Sequence, residues 1–219
     1  MPPKRERVLY WRHEKVMADA MRNPDERFTY GDYRQWDDGE RWELIEGQAW
    51  SMSPAPRRSH QKLSLWLARK LADFLEGHPC EVYEAPFDLL LPEGDEDDDE
   101  VATVVQPDIL VFCDKSKLTE AGARGAPTFI IEILSPSTSK KDLNEKFRLY
   151  ERHGVREYWV VDPDAQAIHA WSLDEHRRFG RERLHLAQAS RAPGAGPLVV
   201  STALEGFSVD SGELFGAID

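Results

Sequence analysis

Residues 107–112, PDILVF, and residues 128–134, TFIIEIL, are the two stretches on which the reading of this chain turns. Both are rich in β-branched and aromatic residues and read as strands. The second is apolar at successive positions, which suggests burial on both faces of a sheet. Glu132 stands inside it, between Ile131 and Ile133. An unpaired buried carboxylate costs several kcal/mol, so Glu132 needs a cation or a metal. Asp108 enters its own strand directly after Pro107. If the two strands are neighbours, both carboxylates point from one end of the sheet into one site. Acids that close repel each other unless a divalent cation lies between them, and oxygen-only ligation suits magnesium or manganese. The plainer alternatives are a salt bridge from Glu132 to Lys140, Lys141 or Lys146, and a turn or cap role for Asp108.

Working outward, residues 135–154, SPSTSKKDLNEKFRLYERHG, carry Leu143, Phe147 and Tyr150 at helical spacing and end on Gly154, which predicts a helix. Asp142 and Lys146 share one of its faces at i, i+4. They read either as a surface ion pair or as an arrangement that leans the Lys146 ammonium over the strand end. REYWVVDP, AIHAWSL and RFGRERLHLA are further strands, and LVVSTALEGFSVDSGELF closes the chain. Upstream, Thr29 with Asp32 resembles a helix-opening cap, and RWELIEGQAWSMSP reads as a hairpin turning at Glu46-Gly47. SHQKLSLWLARKLADFL is a helix with Leu63, Leu67, Leu71, Phe74 and Leu75 on one face and Ser59 as its N-cap. EVYEAPFDLLL and VATVVQPDILVFC are predicted as two strands joined by a mobile acidic loop. The order gives a mixed α/β arrangement around one central sheet, with residues 1–28 as an extension, helical over residues 11–21, and residues 29–219 as the domain.

At 219 residues with 41% hydrophobic side chains, the chain can build a sizeable core, so disorder is excluded as its main state. No apolar run approaches the ~20 residues of a membrane span, and the charged N-terminus is no secretory signal. Cys80 and Cys113 have no CxxC spacing, which predicts neither a disulfide framework nor a zinc site, and a cytoplasmic protein. The net charge of −12 argues at first against a nucleic-acid partner. Seven of the eight residues 93–100 are acidic, however, whereas residues 57–70 hold Arg57, Arg58, Lys62, Arg69 and Lys70 without an acid, and residues 177–191 hold five arginines. So segregated a charge remains compatible with a polyanion.

The succession PD, EILSPST and DLNEKFRLYERHGVREYWVVDP resembles the Uma two family of restriction endonuclease-like proteins, a branch of the PD-(D/E)XK nuclease superfamily. RWELIEGQAWSMSPAPRRSHQKL and LEGFSVDSGELF are similar to that family's hairpin-and-helix and C-terminal tail. The resemblance implies an α/β restriction-endonuclease-like fold, a central mixed β-sheet flanked by helices, and metal-dependent phosphodiester hydrolysis with magnesium or manganese. It makes Asp108 the motif aspartate and Glu132 the second metal-ligating acid, with Glu46 completing the metal set. The usual lysine position, two residues after the second acid, is occupied by Leu134; the resemblance implies that Lys146 on the next helix takes its place. Arg57, Arg58, Lys62, Lys140 and Lys141 are then candidates for DNA backbone contacts, and a homodimer able to cut both strands is implied.

Three functional readings follow. The first is a magnesium-dependent endonuclease acting on DNA. The second is a non-cleaving nuclease-fold protein that binds a partner, which Leu134 and the acidic net charge favour. The third takes the carboxylates as a glycosidase pair and predicts no metal dependence. His60, near the start of the long helix, reads as an exposed residue with substrate contact as the alternative. Tyr150, Tyr158 and Trp159 read as core residues.

Overall fold

The computed structural model describes residues 22–23, 25–52, 55–135, 142–187 and 196–218. The helix predicted over residues 11–21 lies outside them, as do Lys140 and Lys141 and the side chains of Asp142 and Leu143.

Thr29 opens α1 (Tyr30–Tyr33) through a reciprocal capping box with Asp32, as the T-x-x-D spacing predicts. β1 (Trp42–Ile45) and β2 (Gln48–Ser51) form the predicted hairpin. Glu46 and Gly47 both adopt positive φ, 52° and 78°, a two-residue turn whose twist matches its strands. α2 (Arg58–Leu75) starts one residue before Ser59, with Arg57 at the N-cap and no side-chain cap bond, so Ser59 is not the cap. Its leucines 63, 67, 71 and 75 are buried, each worth about 1.5–3 kcal/mol of transfer free energy.

The two stretches predicted as single strands are each broken in two. β3 (Glu81–Glu84) ends before Pro86 and the chain resumes as β4 (Leu89–Leu90); β5 (Val104–Val105) ends before Pro107 and resumes as β6 (Ile109–Phe112). Proline has no N–H to extend a ladder, and at each break the chain changes sheets. The acidic residues between β4 and β5 do not form the mobile loop predicted. Asp98–Glu100 make a 3-10 turn, Arg124 binds Asp98 at 2.6 Å, Arg152 binds Glu93 at 2.8 Å, and Arg34 pairs with Asp99. Arginines from three separate elements hold the run, and their sequence positions gave no hint of it.

β7 (Leu118–Thr119) and β8 (Gly122–Arg124) lead into β9 (Phe129–Ile133). Gly122 has φ 147°, and a Cβ there would collide with the Asp88 carbonyl oxygen. A π-helical turn over Asp142–Lys146 continues as α3 (Phe147–His153), which Gly154 stops in the left-handed conformation. β10 (Glu157–Asp162), β11 (Ala167–Ser172), β12 (Arg183–Leu186), the β13 (Leu198–Val200) and β14 (Ser208–Asp210) ribbon, and α4 (Ser211–Gly216) follow.

The central sheet has the order β12-β11-β10-β9-β6-β3, with β9 and β10 parallel and the other pairs antiparallel. α2, α4 and the β13–β14 ribbon pack on one face, around Ile109, Phe129, Ile131 and Trp159. α3 packs on the other, around Leu110, Ile130, Tyr158 and Val160. The single sheet predicted is joined by a second six-stranded one, β2-β1-β5-β4-β8-β7. Its strands are only two to four residues long, too short to leave a period in the sequence. Among the described residues no helix is long and apolar enough to cross a membrane.

Cys80 and Cys113 extend the β3–β6 register at directly opposed positions and form a disulfide, which corrects the expectation of none. Their sequence separation of 33 conceals the pairing until the strands are aligned. Closing a loop of that length stabilises by about 3–4 kcal/mol in the chain-entropy model. Dithiothreitol is therefore expected to lower the melting temperature of the full chain, and Cys80→Ser should melt at the reduced temperature with or without it. Equal melting of oxidised and reduced protein would contradict this.

Candidate active site

The β6–β9 register pairs Ile109 with Ile131, which places Asp108, just before β6, opposite Glu132. Directly opposed residues have Cβ atoms about 4.5–5.5 Å apart. Alternation along β9 sends Ile131 and Ile133 towards α2, and Ile130 and Glu132 towards α3. Asp108 lies at the end of the sheet. Its Oδ2 accepts a 2.7 Å hydrogen bond from the Ile133 N–H and lies 3.2 Å from His60 Nε2.

Glu132, 4% exposed, meets the inner face of the π-turn and α3. Its Oε1 accepts hydrogen bonds from Lys146 Nζ and from the Tyr150 hydroxyl, both at 2.8 Å. Lys146 and Tyr150 are four residues apart and so share a face. The same ammonium lies 3.0 Å from Glu43 Oε1, which also accepts from the Gln106 N–H at 2.9 Å. Lys146 and Glu43 are as buried as Glu132. Burial, and then the charge of Glu132, push the Tyr150 hydroxyl well above the usual tyrosine range. Tyr150 therefore stays protonated and acts only as a donor to Glu132.

Of the residues singled out in the sequence, Glu132 and Lys146 are in direct contact, and Asp108 stands opposite Glu132 in the register with its carboxylate turned to the Ile133 N–H and His60. The salt bridge of Glu132 is made with Lys146, while Asp142 has no described side chain through which to show the i, i+4 pair. Leu134, in the usual lysine position, is buried on the α3 side with Leu149 and Tyr150. The Lys146 ammonium thus approaches Glu132 from the helix.

Glu46 is not with them. It occupies the left-handed turn position of the hairpin, is exposed, and pairs with Arg152 at 2.8 Å. Glu43, three residues earlier, is the hairpin acid that reaches Lys146. The signal was available: Glu43 sits between Trp42 and Leu44 in a strand, the same anomaly that singled out Glu132. His60 differs from its surface reading as well, its side chain being only 12% exposed. It lies one turn before Leu63, on the inward stripe of α2, and that spacing could have revealed it. Arg57 and Arg58 are exposed and Lys62 is half-buried near the start of α2.

Glu43 and Glu132 set two carboxylates against one ammonium, with Asp108 at the adjoining strand end. Their hard oxygen donors and excess negative charge suit a magnesium-like ion in kind. Among the described residues, however, no group of three or more His, Cys, Asp or Glu side chains is gathered as a metal cage. Lys146 occupies the space between two of the acids.

Comparison with known proteins bears on the fold and the family. The crystal structure of a "putative nuclease" from Anabaena variabilis has a TM-score of 0.66 to this chain at 19% identity, covering 87% of this chain and 99% of that one. The likeness shows a shared fold, a central mixed sheet flanked by helices. The "Uncharacterized protein slr1290" of Synechocystis is 26% identical over 156 residues, 70% of this chain and 78% of that protein. Residues 30–203 match the model of the Uma2 family, described as "Putative restriction endonuclease". With most of its length matched in this way, the chain belongs to the Uma2 family.

Proposed function

We propose that this protein is a divalent-metal-dependent endonuclease that hydrolyses phosphodiester bonds in DNA. The observation that carries the reading is the buried Lys146 ammonium held between Glu132 and Glu43, at the strand end where Asp108 stands. Magnesium or manganese, held by Asp108, Glu132 and Glu43, would polarise the phosphate and acidify a bound water. Glu43 takes the place assigned to Glu46 in the sequence reading. The chain's own groups do the rest. Lys146 supplies fixed positive charge in a water-poor site, where it counts for more than in bulk solvent as negative charge builds on the phosphoryl oxygens. Tyr150 fixes the orientation of Glu132, and the Ile133 N–H with His60 fixes Asp108. Arg57, Arg58 and Lys62 remain proposed backbone contacts. A homodimer that cuts both strands belongs to the same reading.

The competing reading, a non-cleaving binding module, is favoured by Leu134 and by the ammonium already satisfying both acids. Calorimetric titration with magnesium and manganese, run beside plasmid cleavage in the same buffers, separates the two. We expect millimolar or tighter binding and metal-dependent nicking, both lost in Asp108→Ala and Glu132→Ala. Absence of both from the wild-type chain would leave the binding module as the reading.

A further inference from the structure

Away from the carboxylates, several arginines gather on the outer flank of α3. A cleft of about 590 Å³ is lined there by Phe147, Arg148, Glu151, Arg152, Arg177 and Arg178. Four guanidinium groups thus face one acid. Glu151 is committed to Arg178 Nη1 and to the Phe179 N–H, each at 2.7 Å. At the rim Arg152 is held by Glu46 and Glu93, both at 2.8 Å. Arg148 and Arg177, both exposed, pair with no acid among the described residues.

Arg177 is also set in place by the fold. It adopts φ 58° in the turn after β11, a conformation that L residues other than glycine, asparagine and aspartate seldom take. Its guanidinium lies against Gly154, where a Cβ would collide with Nη2. The glycine that ends α3 therefore also makes room for an arginine from another element. A planar guanidinium fork matches phosphate oxygens in two-point contact.

We propose that this cleft binds the phosphodiester backbone of a nucleic-acid strand, with Arg148 and Arg177 as its phosphate-contacting residues. The proposal rests on the nuclease reading for its choice of polyanion and extends it to a surface outside the catalytic carboxylates. Lys146 and Tyr150 face inward from the helix that carries Arg148 and Arg152 on its outer side. The cleft thus lies across α3 from the proposed catalytic carboxylates. Contacts of this kind position the substrate and do not read its bases. Glu46 and Glu93 must yield Arg152 to an entering strand, so Glu93→Gln should tighten binding.

The test is fluorescence anisotropy of the full chain with a labelled single-stranded oligonucleotide and with its duplex, in EDTA so that nothing is cut, over a series of salt concentrations. Arg148→Glu with Arg177→Glu is expected to weaken binding at least about tenfold at low salt. The slope of log K against log salt should fall by about 2, one for each phosphate contact removed. The alanine pair Arg148→Ala, Arg177→Ala guards against misfolding from charge reversal and should show the same slope change with a smaller loss. Wild-type affinity and slope in both double variants would overturn the cleft, even if the wild type cuts DNA. No binding of either probe by the wild type at low salt would overturn it too. Cleft-dependent binding by a protein that never cuts with magnesium or manganese would support the cleft and reject the nuclease.

Discussion

Lys146→Ala is expected to lower metal-dependent cleavage by about 10²–10³-fold, the usual loss when one preorganised charge-stabilising donor is removed. The same change should destabilise the fold by about 3–5 kcal/mol at neutral pH, because it leaves Glu43 and Glu132 buried without their cation. The pH dependence separates this from a simple packing loss. Two buried carboxylates without a counter-charge take up protons on folding. The folded state then binds more protons than the unfolded one, and stability rises as pH falls. Urea denaturation of the variant should show a midpoint that moves up on acidification, relative to wild type at the same pH. Magnesium should also raise the midpoint if the carboxylates hold it. A variant as stable as wild type at neutral pH, and as active, would remove Lys146 from the proposed machinery.

Glu157→Ala should have an effect of similar size on stability alone. Glu157 is fully buried on β10. Its Oε1 accepts from Trp159 Nε1 at 2.8 Å and Arg183 Nη2 at 2.7 Å; its Oε2 accepts from Ser201 Oγ and from the N–H groups of Thr202 and Ala203 at 2.8 and 2.9 Å. This one carboxylate ties the turn before β14 to the central sheet. Its removal strands several buried donors, at about 1–3 kcal/mol each before relaxation, so a net loss of about 3–5 kcal/mol is expected. For a chain of this size that corresponds to a melting temperature roughly 6–20 °C lower. Glu157→Gln keeps an acceptor and should fall between. The register places Phe129 opposite Glu157, and Val160 opposite Glu132. The two glutamates therefore point to opposite faces of the sheet, and metal binding by the folded variant should be unchanged. A calorimetric titration that loses the metal along with Glu157 would contradict this separation.

The two glutamates also show where the reach of the sequence ends. Each is an acid within an apolar strand, and that anomaly alone marked Glu132 for chemistry while Glu157 passed unremarked in EYWVVDP. The structure shows that both are buried, and the strand pattern pointed that way for Glu132. That pattern could not say what meets them, because partners come from elements distant in sequence: Lys146, Tyr150 and Glu43 for one, Arg183 and the turn at Ser201 for the other.

By itself the sequence determined the local elements. Continuous apolar runs marked β9 and β10 and helical spacing marked α2; the Thr29–Asp32 box and the Glu46-Gly47 turn marked the entry to the domain. The motif residues identified the family and brought Asp108, Glu132 and Lys146 forward together. Tertiary structure alone decided the second sheet, the disulfide, the anchoring of the acidic run, the contact of Glu43 rather than Glu46 with Lys146, and the inward turn of His60 onto Asp108. The reason is physical. Periodicity and propensity are properties of a few neighbouring residues, whereas strand register, salt-bridge partners and the side of a sheet on which a charge is compensated depend on chain segments that meet only after folding.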